Sequence, residues 1–368
     1  MPDRRTLPWF AFPLGAFVAS RLVTVAGAFG ARYFVGGSGA DTITTAFMGK
    51  WDVGYYLTIA REGYPSTVPD APSVIGFFPL YPLLVRSVAA VVPGVGIPGA
   101  GLLVTFLAAA GATLLIWQLA ARRFDRQAAD RAALLFCFFP GSYALSMAYT
   151  EGVFILCAAA CLLLLDQRRW WLAALVAGAG SAARPTGFVL AVTCAFAVVT
   201  NWRRTREWRP LLSVPVAAAG FVAFLVYLHF RVGDWMAYRR AQERWWGQGV
   251  DLGSTTFRRT FGFVVDPKDD LNMAISVAGF FTILVLGWVF VRARPPGVWM
   301  AYTVAVLVPV LLSTTNTLTA RSVLSAFPLF IGLAVRLRTE WTAALVGVFA
   351  GVLAVLVLLI GPTLVVTP

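Results

Sequence analysis

The chain is a succession of apolar runs separated by short connectors that carry arginine, and this pattern constrains it more than any motif does. The runs fall at 8–29, 101–120, 132–148, 152–165, 170–183, 186–200, 211–230, 273–291, 298–312, 322–335 and 341–361, with a shorter stretch at 77–92. A straight helical span of a bilayer needs roughly 20 apolar residues. Helices and closed barrels are the structures that satisfy every backbone group there. The charged fraction, 13%, is about half that of an ordinary soluble domain, and the hydrophobic fraction is 59%. A soluble enzyme, a disordered chain and a disulfide-rich secreted domain are excluded. The expected fold class is an all-α polytopic membrane protein, read as a single integral membrane domain over 1–368.

Net charge is +13, and Lys50 and Lys268 are the only lysines, so the basic residues are almost all arginine. They are scattered between the runs rather than gathered on one domain. That suits topology signals and lipid headgroup contact, not nucleic acid. The basic connectors are Arg4/Arg5, Arg122/Arg123/Arg126/Arg131, Arg168/Arg169, Arg203/Arg204/Arg206/Arg209, Arg292/Arg294 and Arg336/Arg338. Placing all of them in the cytoplasm puts the N-terminus inside, and the count closes only if 77–92 does not cross. Pro79, Pro82 and Arg86 within that stretch point the same way, to an interfacial or re-entrant segment. About eleven crossings and an external C-terminus are expected, in a plasma-membrane protein. Run 8–29 lacks the small-residue cleavage site of a signal peptide. Two large loops then lie outside: 30–98, with interfacial helices, and 231–272.

Polar side chains outside the basic connectors gather on that external side. Asp52 opens a short predicted helix over 55–60, on one face with Tyr55, Tyr56 and Ile59. Aromatic neighbours reduce hydration of a carboxylate and make it a better base; the alternative is an N-terminal helix cap. The stretch Phe77 to Arg86 either anchors the loop at the headgroups or lines a lipid groove. Glu151, between two apolar runs, either pairs in a site or compensates the start of the next helix. Arg184, on the side that arginine usually avoids, either binds an anion such as phosphate or pairs with Glu151 or Asp52. Arg321, with Asn316 nearby, follows the same logic. Tyr238, Arg239, Arg240, Gln242, Glu243, Trp245 and Trp246 read as an amphipathic surface helix or as part of a site.

Cys137, Cys157, Cys161 and Cys194 sit inside apolar runs, and His229 is the only histidine, so ligands for a zinc or haem centre are lacking. Phosphate-loop, nucleophile-elbow and zinc-protease motifs are absent. Asp269-Asp270, after Pro267-Lys268, reads as a solvated turn. A nucleotide donor, an essential metal and any other cofactor are disfavoured.

The ordered set of motifs resembles the PIG-V family of mannosyltransferases. It comprises the W-D-x-x-Y-Y-L-x-I-A-x-x-G-Y run at 51–64, F-F-P-L-Y-P-L at 77–83, Tyr149-Thr150-Glu151, and Arg184-Pro185-Thr186-Gly187. It continues with Gln242-Glu243-Arg244-Trp245 and with Arg321 followed by Phe327-Pro328. Ser322 and Ala320 depart from the family pattern, which expects an aromatic residue and a proline beside the arginine. The resemblance implies a GT-C bundle, a polyprenyl-phosphate sugar donor, usually mannose, and inverting, metal-independent transfer to a lipid-linked or glycan hydroxyl on the external face. It implies Asp52 as catalytic base and Trp51, Tyr56, Tyr81, Glu151, Arg184, Gln242 and Arg321 as substrate contacts. The alternatives are a GT-C enzyme using another prenyl-phosphate sugar, arabinofuranose or glucose, and a lipid or sugar transporter.

Overall fold

Each apolar run becomes helix in the computed structural model, which describes residues 8–35, 47–48, 51–267, 270–314 and 318–360. Arg4, Arg5, Lys50, Lys268, Asp269 and Asn316 lie outside the described residues. Among the described residues there is no strand, only one isolated antiparallel bridge between Val250 and Ser313. The long helices are Ala11–Val35, Gly96–Arg123, Val189–Thr205, Val214–Val232, Leu271–Arg292 and Thr339–Ile360. Local signals set several boundaries. Asp125 accepts a hydrogen bond from Ala128 N at the start of Arg126–Phe138, and Asp270 does so from Met273 N ahead of Leu271–Arg292. Gly233 (φ 75°) and Gly247 (φ 59°) take left-handed conformations at two helix ends.

Length and composition alone qualify six helical stretches as spans among the described residues. A seventh is counted if Pro140–Ser146 and Glu151–Asp166, bent 105° apart, form one broken span. The expectation of about eleven crossings therefore rests on shorter pieces. Trp170–Ser181 and Gly297–Leu311 are apolar but 12 and 15 residues long. The run at 322–335 is divided into Ala320–Ser325 and Pro328–Arg336. The 77–92 stretch yields Leu80–Val91, whose 12 residues rise only about 18 Å, short of a bilayer core.

The bundle is packed through small residues. Gly96–Arg123 lies against Glu151–Asp166, and Ala108, Ala109, Ala112, Ala158 and Ala159 are buried. Trp170–Ser181 lies against Val214–Val232, with Ala173, Ala174 and Ala177 buried. Small side chains let helix backbones approach closely, which is how helices associate where lipid is as apolar as leucine. Leu172, Leu175, Val222, Leu284, Val285, Val352 and Val355 face outward instead.

The first helix carries a buried positive charge. Arg21, midway along Ala11–Val35, donates to the Ser142 carbonyl (2.7 Å), Ser146 Oγ (2.8 Å), Ser142 Oγ (3.0 Å) and the Cys137 carbonyl (3.1 Å). It thereby ties the first helix to the short helix Pro140–Ser146. That element in turn presses on Ala320–Ser325: a Cβ on Gly141 would collide with the Ala320 carbonyl. A chain of contacts thus runs from Arg21 through Gly141 to the backbone that carries Arg321.

Candidate active site

Four charged residues stand at breaks between helices, where side chains leave the apolar layers. Asp52 is the first residue of Asp52–Glu62, and Glu151 the first of Glu151–Asp166. Arg184 precedes the proline that opens Pro185–Phe188, and Arg321 lies in the six-residue helix Ala320–Ser325. Both carboxylates occupy helix N-termini, where the helix dipole favours negative charge. Asp52 is not the cap: that position is Trp51, and no side chain caps this end.

The breaks converge. Arg321 Nη1 lies 3.2 Å from Asp52 Oδ2, and Arg321 Nε lies 3.4 Å from Glu151 Oε1. Arg184 Nη1 donates to the same Glu151 oxygen at 3.1 Å. The guanidiniums also sit over rings, Arg184 over Phe154 (5.5 Å) and Arg321 over Tyr149 (5.1 Å). Glu151 is 2% exposed, the arginines 18% and 21%, and Asp52 34%. The buried carboxylate is the hub, and Asp52 is the member most open to solvent. Burial opposes the Arg321 charge, but the Glu151 and Asp52 carboxylates outweigh it and hold the guanidinium above its ordinary range. Burial first, then the same two carboxylates, pushes the Tyr56 phenol up, so it stays a neutral hydroxyl.

These residues line a cavity of about 260 Å³ with Tyr56, Phe77, Thr150, Gln242, Trp246 and Gln248. Gln242 Nε2 donates to the Gly76 carbonyl (2.9 Å), which fastens Ala237–Trp246 to the loop before Phe77. Gly76 is needed there, since a Cβ would come within 2.8 Å of the Trp246 ring. Tyr55, Tyr56, Phe77 and Trp246 make an aromatic wall: Tyr55 stacks on Phe77 (4.6 Å), and Tyr56 and Trp246 meet Phe77 edge-on (5.2 and 5.5 Å).

The geometry revises several expectations. Arg184 does not point at open space; its partner is Glu151, the pairing that the sequence left as an alternative. The 237–246 segment is not merely a surface helix, since Gln242 and Trp246 reach the cavity. Tyr81 does not line the cavity. It is fully buried on the inner face of Leu80–Val91, where its hydroxyl donates to the Gly101 carbonyl (2.9 Å) and meets Thr105 Oγ1 (3.1 Å). Trp51 is not in the lining either. It turns the chain into the Asp52 helix with φ 64° and ψ −144°, a conformation that side chains rarely adopt and that costs about 1–3 kcal/mol. Its Nε1 is buried with no hydrogen-bond partner among the described residues. Trp246, Tyr149 and Thr150, named in the sequence only within a run or a motif, join the site, and so does Gln248, which was not named. Tyr149 and Thr150 adjoin Glu151 in sequence, which was the available signal; nothing in the sequence marked Gln248.

The architecture is a membrane-embedded helical fold of the GT-C type. ArnT from Cupriavidus metallidurans, solved bound to undecaprenyl phosphate, superposes with a TM-score of 0.57 over 91% of this chain and 63% of its own, at 17% identity. The family profile described as Dolichyl-phosphate-mannose-protein mannosyltransferase matches residues 76–229. GPI mannosyltransferase 2 from Drosophila pseudoobscura pseudoobscura is 35% identical over 113 residues, which are 28% of this chain and 24% of that protein. The chain thus spans about a quarter of that curated relative. The likeness to ArnT is one of fold, and the profile and the relative tie part of the sequence to mannosyltransferases.

Proposed function

We propose that this protein transfers a sugar, with mannose favoured, from a polyprenyl-phosphate donor to a hydroxyl of a lipid-linked or glycan acceptor, with inversion and on the extracytoplasmic face. The observation that carries the reading is the pairing of Asp52, the most exposed member of the cluster, with Arg321 in a cavity that also holds Arg184. A single carboxylate base beside guanidiniums is what displacement of a phosphate leaving group requires. Asp52 accepts the proton of the acceptor hydroxyl as its oxygen attacks the anomeric carbon. The bond to the phosphate oxygen breaks on the opposite side, and the polyprenyl phosphate departs as an anion. It is already a good leaving group, so one carboxylate suffices where glycosidases need two. Arg321 or Arg184 stabilises the negative charge that develops. Arg321 holds Asp52 in the resting site; a donor phosphate that takes over the guanidinium frees the carboxylate to act as base.

A lipid donor also needs an apolar resting place. A second cavity, of about 360 Å³, is lined mainly by apolar and aromatic side chains, including Ile59, Tyr64, Leu83, Phe224 and Tyr227. Tyr64, in this lining, donates to the carbonyl of Phe77, which lines the charged cavity (2.7 Å). The distribution of arginine between the apolar runs supports the extracytoplasmic assignment.

The test is transfer from labelled polyprenyl-phosphate mannose, in membranes, with identification of the labelled product. Asp52→Asn keeps the side-chain shape and should lower transfer by a factor of about 10²–10⁴. Near-wild-type turnover by purified Asp52→Asn protein refutes the assignment. Sugar flux into liposomes without any acceptor would favour transport instead.

A further inference from the structure

The catalytic helix has a second side that the proposed reaction does not use. Asp52 faces the charged cavity, whereas Tyr55, Thr58 and Glu62 border a separate open cavity of about 390 Å³ on the other side of the aromatic wall. Its volume lies within the range of about 300–1,000 Å³ typical of small-molecule sites. The far side is built by Pro65, Pro69 and Pro72. Proline fixes φ, so this loop presents a stiff surface that loses little freedom when a ligand settles on it.

We infer that this cavity is a subsite for the sugars of an extended acceptor, one or more residues away from the hydroxyl that reacts. The inference rests on the glycosyltransferase reading above and adds the acceptor's class: an oligosaccharide rather than a single sugar or a simple alcohol. Three features suit a carbohydrate. Tyr55, stacked on Phe77 (4.6 Å, 14° between planes), lines the cavity and offers an aromatic platform of the kind that receives the apolar C–H face of a pyranose. Glu62, exposed, accepts hydrogen bonds at two oxygens, and Thr58 both donates and accepts, which matches neighbouring sugar hydroxyls. The helix itself is a ruler. From Asp52 to Glu62 it rises about 15 Å, a length that a short oligosaccharide spans and a single ring does not. Tyr55 lines this cavity and Phe77 lines the charged one, and their stacked rings make the two cavities neighbours.

The experiment compares octyl α-mannoside with octyl α-mannotrioside as acceptors for the purified full-length protein. Transfer from polyprenyl-phosphate mannose is followed alongside binding of each octyl glycoside, without donor, by saturation-transfer NMR. The variants are Glu62→Gln and Thr58→Ala, neither of which belongs to the charged cluster. Wild type should show a lower KM for the trimannoside. Each variant should raise that KM about five- to tenfold, the effect of losing one or two ordinary hydrogen bonds, and leave kcat and the monomannoside KM unchanged. Equal effects on both acceptors, or none on either, overturn the subsite. If wild type transfers to neither acceptor, the mannosyltransferase reading fails on its own. The subsite then stands if trimannoside binding is weakened by Glu62→Gln, and falls if it is not.

Discussion

Replacing Glu151 with glutamine tests the site most directly, because this side chain holds two guanidiniums and is 2% exposed. Asp52, Glu151, Arg184 and Arg321 sum to no net charge, and Glu151→Gln leaves the cluster at one positive charge. Removing one partner of a fully buried ion pair costs about 3–5 kcal/mol. Here the arginines are 18% and 21% exposed, so water relieves part of that, and about 2–3 kcal/mol is expected. The consequence is a melting temperature lowered by several degrees, read from tryptophan fluorescence of the purified protein in detergent. Without the hub, Arg184 and Arg321 repel and move apart. A displacement of about 1 Å in a positioning group costs roughly 10²-fold, so kcat for mannose transfer should fall by one to two orders of magnitude. Donor KM should not rise, because the site has gained positive charge toward a phosphate. A variant with wild-type melting and wild-type kcat refutes the reasoning. A raised donor or acceptor KM with kcat intact would make Glu151 a substrate ligand rather than the residue that positions the arginines.

Arg321 touches two carboxylates through two different nitrogens, which a lysine ammonium cannot reproduce. Arg321→Lys should therefore lower kcat at least about tenfold more than Arg184→Lys, whose native residue makes one ion pair; equal losses in parallel assays would show that bridging is unimportant. Tyr81→Phe removes the hydroxyl that joins Leu80–Val91 to Gly96–Arg123 and should cost about 1 kcal/mol of stability. A change in donor or acceptor KM in that variant would return Tyr81 to the substrate site.

The apolar layers were legible because hydrophobic burial acts on whole segments. Runs such as 211–230 and 341–361 became helices close to the expected bounds, Val214–Val232 and Thr339–Ile360. The helix carrying Asp52 was legible too, though it runs Asp52–Glu62 rather than 55–60. Ion-pair partners were harder. Asp52 and Arg321 are 269 residues apart, and nothing local records their meeting. Arg184 illustrates the difficulty: an arginine against the positive-inside trend needs an anion, but sequence does not say whether that anion is a ligand or Glu151, 33 residues away. Tyr81 misled because its motif is aromatic on both sides. Phe77 faces the cavity and Tyr81 faces the core, and only the start of the helix at Leu80 decides between them.

The buried arginine of the first helix carries a consequence for synthesis. Arg21 enters the membrane with Ala11–Val35, yet its partners at Cys137, Ser142 and Ser146 emerge from the ribosome more than a hundred residues later. At roughly 5–20 residues per second, that interval is about 6–25 seconds. During it the guanidinium has none of these acceptors, and such a charge at a helix centre costs roughly 2.5–3.5 kcal/mol on insertion scales. The first helix is thus expected to dock in the bundle late, once the serine-bearing turn is made. The region that receives it also packs against the backbone of Arg321, so completion of the bundle and completion of the site are one event in time.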